Sequence, residues 1–365
     1  MKKQMIKISS LLFVMVAMML SACDDYLDDV PKGQKIPKTW EDYNAFIRNN
    51  FSYHFLDPDQ LAVLAGDIFK LPSAVTSPSL TRANYYADES VNRIDLMTGN
   101  DKNPYFNAYE GLFAWNLIVE DVPDATECTE VQRRQLIAQG RVLRAMHYFY
   151  LANFYADQYD EATKDKLSVP LITSASVEAP SPQVTLQTIY EFMLDDLNKA
   201  VEDLPVHSES ILHPNRALGY GMLARVYLSM GDYDNALKRL FEAEFKFPNS
   251  IKVARALAWA TFLARKYERS FNLYEKILGK NFGQEKITTQ DYLNAGHCSW
   301  LYGNKLKAID YYIKSIFDSQ TEEGFMDQFK EDEHFLMERG ISLQDIVIMK
   351  EVIRRFVDSH FDSKD

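Results

Sequence analysis

A short segment recurs along the C-terminal half of this 365-residue chain. Gly231-Asp232-Tyr233 with Ala236 returns as Arg265-Lys266-Tyr267 with Ser270, and again as Gly303-Asn304-Lys305 with Ala308. The copies are offset by 34 and then 38 residues, and the extra four fit a loop at 279–288. A period of this length holds two helices and their turns. Such a pair cannot bury its apolar face alone and must stack on its neighbours. Small residues at the helix crossing let the two helices approach, and tyrosines fill the space beside them. The constraint predicts an all-α fold in which helical pairs wind into a superhelix.

The spacing is that of a tetratricopeptide repeat. Leu223, Ala224, Tyr227, Tyr233, Ala236, Ala243 and Pro248 occupy the first copy's slots. Leu257, Ala258, Tyr267, Ser270 and Tyr274 occupy the second, and Ala295, Gly296, Ala308 and Tyr312 the third. The repeats are assigned to 217–320, with 321–365 as a capping helical pair whose Phe325, Phe329, Phe335 and Leu336 cover the last repeat; 358–365 reads as a frayed tail. Residues 40–216 form an N-terminal helical region. Its helices are expected at about 40–50 (capped by Thr39, with Asp42 at the box position), from Tyr105 to Pro123, from Val131 to Tyr155, and from Thr185 or Gln187 to Leu204. Two stretches lack helical periodicity: a loop-rich segment at 51–104 and a connector at 160–184 that contains Pro170, Pro180 and Pro182.

The first residues read as an export signal. Lys2, Lys3 and Lys7 precede an apolar run from Ile8 to Leu20. As a helix that run measures ~20 Å, too short for a hydrocarbon core of ~30 Å. Leu20-Ser21-Ala22-Cys23 resembles the lipobox of bacterial lipoproteins, which implies a signal at 1–22, acyl chains on Cys23 and a solvated tether at 23–39. The formal charge of the whole chain is −12, and the signal carries three lysines and no acid, so the mature chain is more acidic still. That balance argues against nucleic acid and anionic lipid headgroups as partners. Besides Cys23 there are only Cys128 and Cys298. Their separation fits no metal or redox motif and favours two buried free thiols over a disulfide.

Several motifs, in order, resemble the SusD/RagB type of outer-membrane lipoprotein. They are Tyr26-Leu27-Asp28 with Pro31 after the lipobox, Ala108–Asn116, Arg144-Ala145 in RVLRAMHYFYLANFY, Val169-Pro170-Leu171, Ile189-Tyr190 with Asp195-Asp196-Leu197 and Ala200, and Ala224-Arg225-Val226-Tyr227-Leu228. Asp24-Asp25 is similar to the acidic surface-export signal of such lipoproteins in the Bacteroidetes phylum. The resemblance covers about 20–245. It implies a non-enzymatic cell-surface lipoprotein, anchored in the outer membrane, that captures a glycan, or less often a peptide, for a SusC-like TonB-dependent transporter. Past about 245 the chain departs from the pattern, with generic repeats where members of the family continue into a long loop-rich half. A lipid-anchored repeat scaffold that only docks proteins is the alternative.

Sugar binding needs flat apolar faces and polar edges. Tyr85, Tyr86 and Tyr105 lie among Arg82, Asn84, Asp88, Asn92 and Asn103, which supplies both. The same rings could instead pin a long loop to the scaffold. Tyr148, Phe149, Tyr150, Phe154 and Tyr155 cover so much of one helix that they read as core. No phosphate loop, nucleophile elbow or paired-histidine zinc motif is present, and no cofactor is implied. Glu331-Asp332-Glu333-His334 reads as a solvated charged turn; Asp195 and Asp196 point ~100° apart on a helix, and the resemblance implies that they are structural.

Overall fold

The computed structural model describes residues 36–48, 104–176, 178–279, 282, 285–319 and 322–361. The signal, Cys23, the tether up to residue 35 and most of the 51–104 segment lie outside them. The described residues build an all-α molecule. Helix α1 (Trp40–Arg48) starts as its sequence predicts: the Thr39 hydroxyl accepts from the Asp42 amide at 3.2 Å, and the Asp42 carboxylate accepts from the Thr39 amide at 3.0 Å. Tyr43, Asn44 and Ile47 are its buried face.

Helix α2 (Pro104–Asp121) opens on proline, whose missing N–H costs nothing in a first turn, and gives way at Pro123 to a 3-10 turn. A capping box of Thr129 and Gln132 starts α3 (Glu130–Tyr155). Gly140 sets the distance between these two helices. A Cβ there would lie 2.7 Å from Ile118 Cγ2, so no side chain fits without displacing α2. The following connector is not wholly irregular. Leu167–Pro170 (β1) pairs antiparallel with Gln183–Thr185 (β2), and Thr185 then caps α4 (Leu186–Ala200).

Three helical hairpins come next: α5 (Arg216–Ser229) with α6 (Tyr233–Lys246), α7 (Ile251–Leu263) with α8 (Tyr267–Gly279), and α9 (Thr289–Leu301) with α10 (Lys305–Ser319). Ala236, Ser270 and Ala308 are fully buried at the three equivalent positions. The third crossing leaves no room for a side chain at Gly296, where a Cβ would fall 2.2 Å from Cε1 of Tyr312. Helix α1 packs on α3, and from α2 onward each helix packs on the next in the chain, so the core is a string of linked clusters rather than one centre.

Two helices, α11 (Glu322–Met337) and α12 (Leu343–Phe361), close the stack with Phe325, Phe329 and Leu336 buried. Phe335 differs from expectation: it turns back to meet Trp259 of α7 edge-on, at 5.7 Å between ring centres. Helix α12 continues to Phe361, beyond the predicted fraying point. Residues 331–334 are not a free turn either. They lie within α11, where Glu333 pairs with Lys350 and Asp332 approaches His297 at 3.4 Å. Cys128 and Cys298 are both free thiols, and only Cys298 is buried; Cys128, beside the Thr129 cap, is half-buried.

Candidate functional site

Three elements meet in the N-terminal region: α2, the C-terminal half of α3 and the connector 170–175, which runs along α2 from Tyr109 to Glu120. They are held together by polar side chains, because the connector has too little strand to satisfy its own backbone. The Tyr109 hydroxyl donates to the Pro170 carbonyl at 2.8 Å. The Tyr148 hydroxyl donates to the Ile172 carbonyl at 2.8 Å and accepts from the Ile172 amide at 2.7 Å. Asn116 donates to the carbonyls of Ile172 and Ser174, and Glu120 accepts from the Ala175 amide at 2.9 Å. Burial holds the phenols of Tyr109 and Tyr148 well above the ordinary tyrosine range, so both stay protonated donors.

Behind this lies a buried ion pair. Arg144 grips Asp196 of α4 with two bonds, 2.7 and 2.8 Å long, and donates to the Asn116 carboxamide oxygen at 3.0 Å. Its guanidinium also stands 5.0 Å from the centre of the Phe192 ring. One arginine therefore links α2, α3 and α4, and Asn116 extends the link to the connector. Asp195, one residue away, points outward to Lys199.

On this frame stand the aromatic residues. Tyr105 is the one sequence-predicted ligand residue in the described part of the chain; Arg82, Asn84, Tyr85 and Tyr86 lie outside the described residues, as does Cys23. Its ring meets Tyr155 edge-on at 5.0 Å, Tyr109 at 5.0 Å and Phe106 at 5.9 Å. Tyr150 and Phe154 stack on each other at 4.5 Å. Assigning the whole α3 stripe to the core requires correction. Tyr148 is fully buried and Phe149 and Tyr150 partly so, but Phe154 and Tyr155 are 48% and 41% exposed. With Phe106, 54% exposed, they leave large rings on the surface around the start of α2 and the end of α3, and Phe113, 46% exposed, adds another midway along α2. A signal for this lies in the helical phase: at ~100° per residue, rings at 148, 149, 150, 154 and 155 surround the helix, and one core cannot take them all.

Two cavities went unread in the sequence. The larger, about 510 Å³, opens between α5, α6, α7 and the 205–215 loop over Leu218, Leu240, Ala243 and Val253, with His213 and Lys252 among its polar lining. Burial holds the His213 imidazole below its ordinary value; Ser210 and Asn44 meet its two nitrogens. The smaller cavity lies at the end of α3. Among the described residues no group of three or more His, Cys, Asp or Glu side chains could hold a metal, and no helix is long and apolar enough to cross a membrane.

Known proteins share much of this chain. A "SusD-like protein" of Bacteroides ovatus is 23% identical over 236 residues, 62% of this chain and 40% of that one, so the match spans two fifths of the relative's length. A SusD-like carbohydrate binding protein of Bacteroides vulgatus aligns with 86% of this chain and 84% of its own, at 13% identity and a TM-score of 0.48. For a laminarin binding SusD-like protein the coverage is 57% and 44%, at 20% identity and a TM-score of 0.45. The family model described as "Starch-binding associating with outer membrane" matches residues 25–228, more than half of the chain, and the protein thus belongs to the SusD-like family.

Proposed function

We infer that the protein is a non-catalytic, lipid-anchored glycan receptor at the cell surface. In this reading Cys23 carries the acyl chains, and the helical stack holds an aromatic surface that captures an oligosaccharide for import by a SusC-like TonB-dependent transporter. The observation that carries the reading is the set of exposed rings around Tyr105 and Tyr155, with Tyr105 packed on Tyr109, whose hydroxyl is fixed to the Pro170 carbonyl. Rings held in place stack on the C–H faces of sugars with little entropy left to lose. Arg82, Asn84, Tyr85 and Tyr86, which precede α2 in the chain, would add polar edges and further rings. The family's description as starch-binding and outer-membrane-associated supports both the ligand class and the location.

The test is affinity electrophoresis and calorimetry of the full chain against neutral polysaccharides. Binding that weakens about tenfold in Tyr105→Ala and Tyr155→Ala supports the reading; no binding to any polysaccharide by the intact protein overturns it. Mass measurement of detergent-extracted protein tests the anchor, which requires acyl mass on a chain beginning at Cys23. The 510 Å³ cavity over the first helical hairpin favours a second reading, a scaffold that docks protein segments without a glycan of its own. Absence of glycan binding by the intact protein would favour this second reading, whereas glycan binding that survives ring removal would move the glycan site away from the rings.

A further inference from the structure

The end of α3 carries a second pocket, of about 290 Å³, lined by Asn153, Gln158, Tyr159, Tyr190 and Ser229. It does not belong to the ring set around Tyr105. Residues 153 and 155 lie ~200° apart around the helix, so Asn153 and Tyr155 leave it on nearly opposite sides. Tyr190 of α4 is buried there with its hydroxyl facing Asn153 and Ser229, and Asn153 donates to the Phe149 carbonyl at 2.6 Å, which orients its carboxamide. Tyr159 stands against it with ring centres 4.7 Å apart, tilted by 49°.

Tyr159 and Gln158 lie outside any helix, yet the loop that presents them is fixed. The Asp160 carboxylate accepts from the amides of Ala162 and Thr163 at 2.7 and 2.9 Å. The Thr163 hydroxyl donates to the Gln158 carbonyl at 2.5 Å, and Lys166 pairs with Asp157 at 2.8 Å. The pocket is thus formed in advance: one aromatic wall, two carboxamides and a hydroxyl, with no charged side chain among its lining residues.

We propose that this pocket is a subsite for one neutral pyranose residue, stacked on Tyr159 with its hydroxyls bonded to Asn153, Gln158 and Ser229. Its volume lies at the lower edge of the ~300–1,000 Å³ typical of ligand pockets, which suits a single sugar at a chain end or branch. The uncharged lining disfavours uronic acids and phosphorylated sugars, whose charge would be desolvated without a partner. The proposal rests on the glycan-receptor reading and adds a second contact point to it.

The full-length chain is titrated calorimetrically with maltoheptaose, laminarihexaose and a xyloglucan oligosaccharide, as wild type and as Gln158→Ala, Tyr159→Ala and Tyr105→Ala. Thermal melting is followed for each. Gln158 is exposed, so its variant keeps the fold even if Tyr159→Ala does not. The expected result is about a tenfold loss of affinity in folded Tyr159→Ala and a smaller loss in Gln158→Ala, for the sugar that the wild type binds. Unchanged affinity in both, with Tyr105→Ala impaired, overturns the subsite and leaves the receptor reading standing. No binding of any of the three sugars by the wild type overturns both.

Discussion

At the turns between paired helices, one residue must adopt a left-handed backbone so that the amide beyond it can reach back five residues. Gly231, with φ +73°, and Gly303, with φ +100°, do this in the first and third pairs, and Gly340 repeats it after α11 with φ +96°. In the second pair the position is held by Arg265 at φ +58°. Its neighbours make the same bonds: the Lys266 amide reaches Thr261 at 3.1 Å, as Asp232 reaches Tyr227 at 2.9 Å and Asn304 reaches Ser299 at 2.8 Å. A non-glycine residue there carries ~1–2 kcal/mol of steric cost. Glycine would remove that cost while losing part of the gain to its freer unfolded chain. Arg265→Gly is therefore expected to raise stability by up to about 1 kcal/mol, and Gly231→Ala to lower it by about as much; urea unfolding of the two variants checks the opposite signs. Cysteine gives a second prediction at this scale. Burial pushes the Cys298 thiol up to about 12, with Ser270 Oγ 3.1 Å away, whereas Cys128 is half-buried at a surface cap. A thiol reagent should modify Cys128 in the folded protein and Cys298 only on unfolding. Labelling of Cys298 at the rate of Cys128 would contradict the buried packing of α8 against α9.

Among the elements, the N-terminal region depends on the link that Arg144 makes between helices. Removing one partner leaves a buried charge short of its main counter-charge, Asp196 keeping only Arg141 at 3.4 Å, at a cost of up to ~3–5 kcal/mol, whereas replacing both with apolar groups removes the problem. Asp196→Ala and Arg144→Met should each destabilise by about that amount, and the double variant by much less than their sum, in a denaturant double-mutant cycle. An additive result would mean that the two side chains do not act as a pair. How far this element is legible in sequence follows from its parts. Asp196 falls in the apolar stripe of Ile189, Met193, Leu197 and Ala200, so its inward direction can be read from helical phase, and Asp195 is displaced by ~100°. Arg144 sits equally inward within its own helix. The tetratricopeptide-like pairs are legible for the same reason, since a period and its small residues are local properties of the chain. The β1–β2 pairing is not. Its strands are four and three residues long, with Pro180 and Pro182 nearby, and the connector is fixed by Tyr109, Asn116 and Tyr148, more than twenty residues upstream. Nor is the smaller pocket, whose walls come from α3, a loop, α4 and α5; no segment contains enough of it to leave a pattern.

For the whole molecule, the distribution of buried phenols sets the response to alkali. Burial raises the hydroxyls of Tyr148, Tyr150, Tyr190 and Tyr220 above the ordinary value of 10.0, and those of Tyr274 and Tyr312 well above it. Above pH 10 the unfolded chain releases these protons and the folded chain keeps them. Unfolding then releases protons, so stability falls as pH rises past that value. His213 acts at the other end. Its folded value is held below 6.5 by burial, with the nearby Arg48 charge in the same direction and Glu209 against it. The unfolded chain takes up that proton first, and stability falls as pH drops below about 6.5. The melting temperature should therefore pass through a plateau between these limits, with His213→Gln reducing the acid-side slope. On the alkaline side the contributing tyrosines extend from α3 to α10, so their release should follow unfolding of the stack. In a rapid jump to high pH, tyrosinate absorbance should rise in two phases: an immediate one from exposed rings, and a slow one at the rate at which helical circular dichroism is lost. If all 21 tyrosines ionise at once near pH 10 while the helices persist, the dry clusters that bury these rings from the first helical region to the last repeat do not exist in solution.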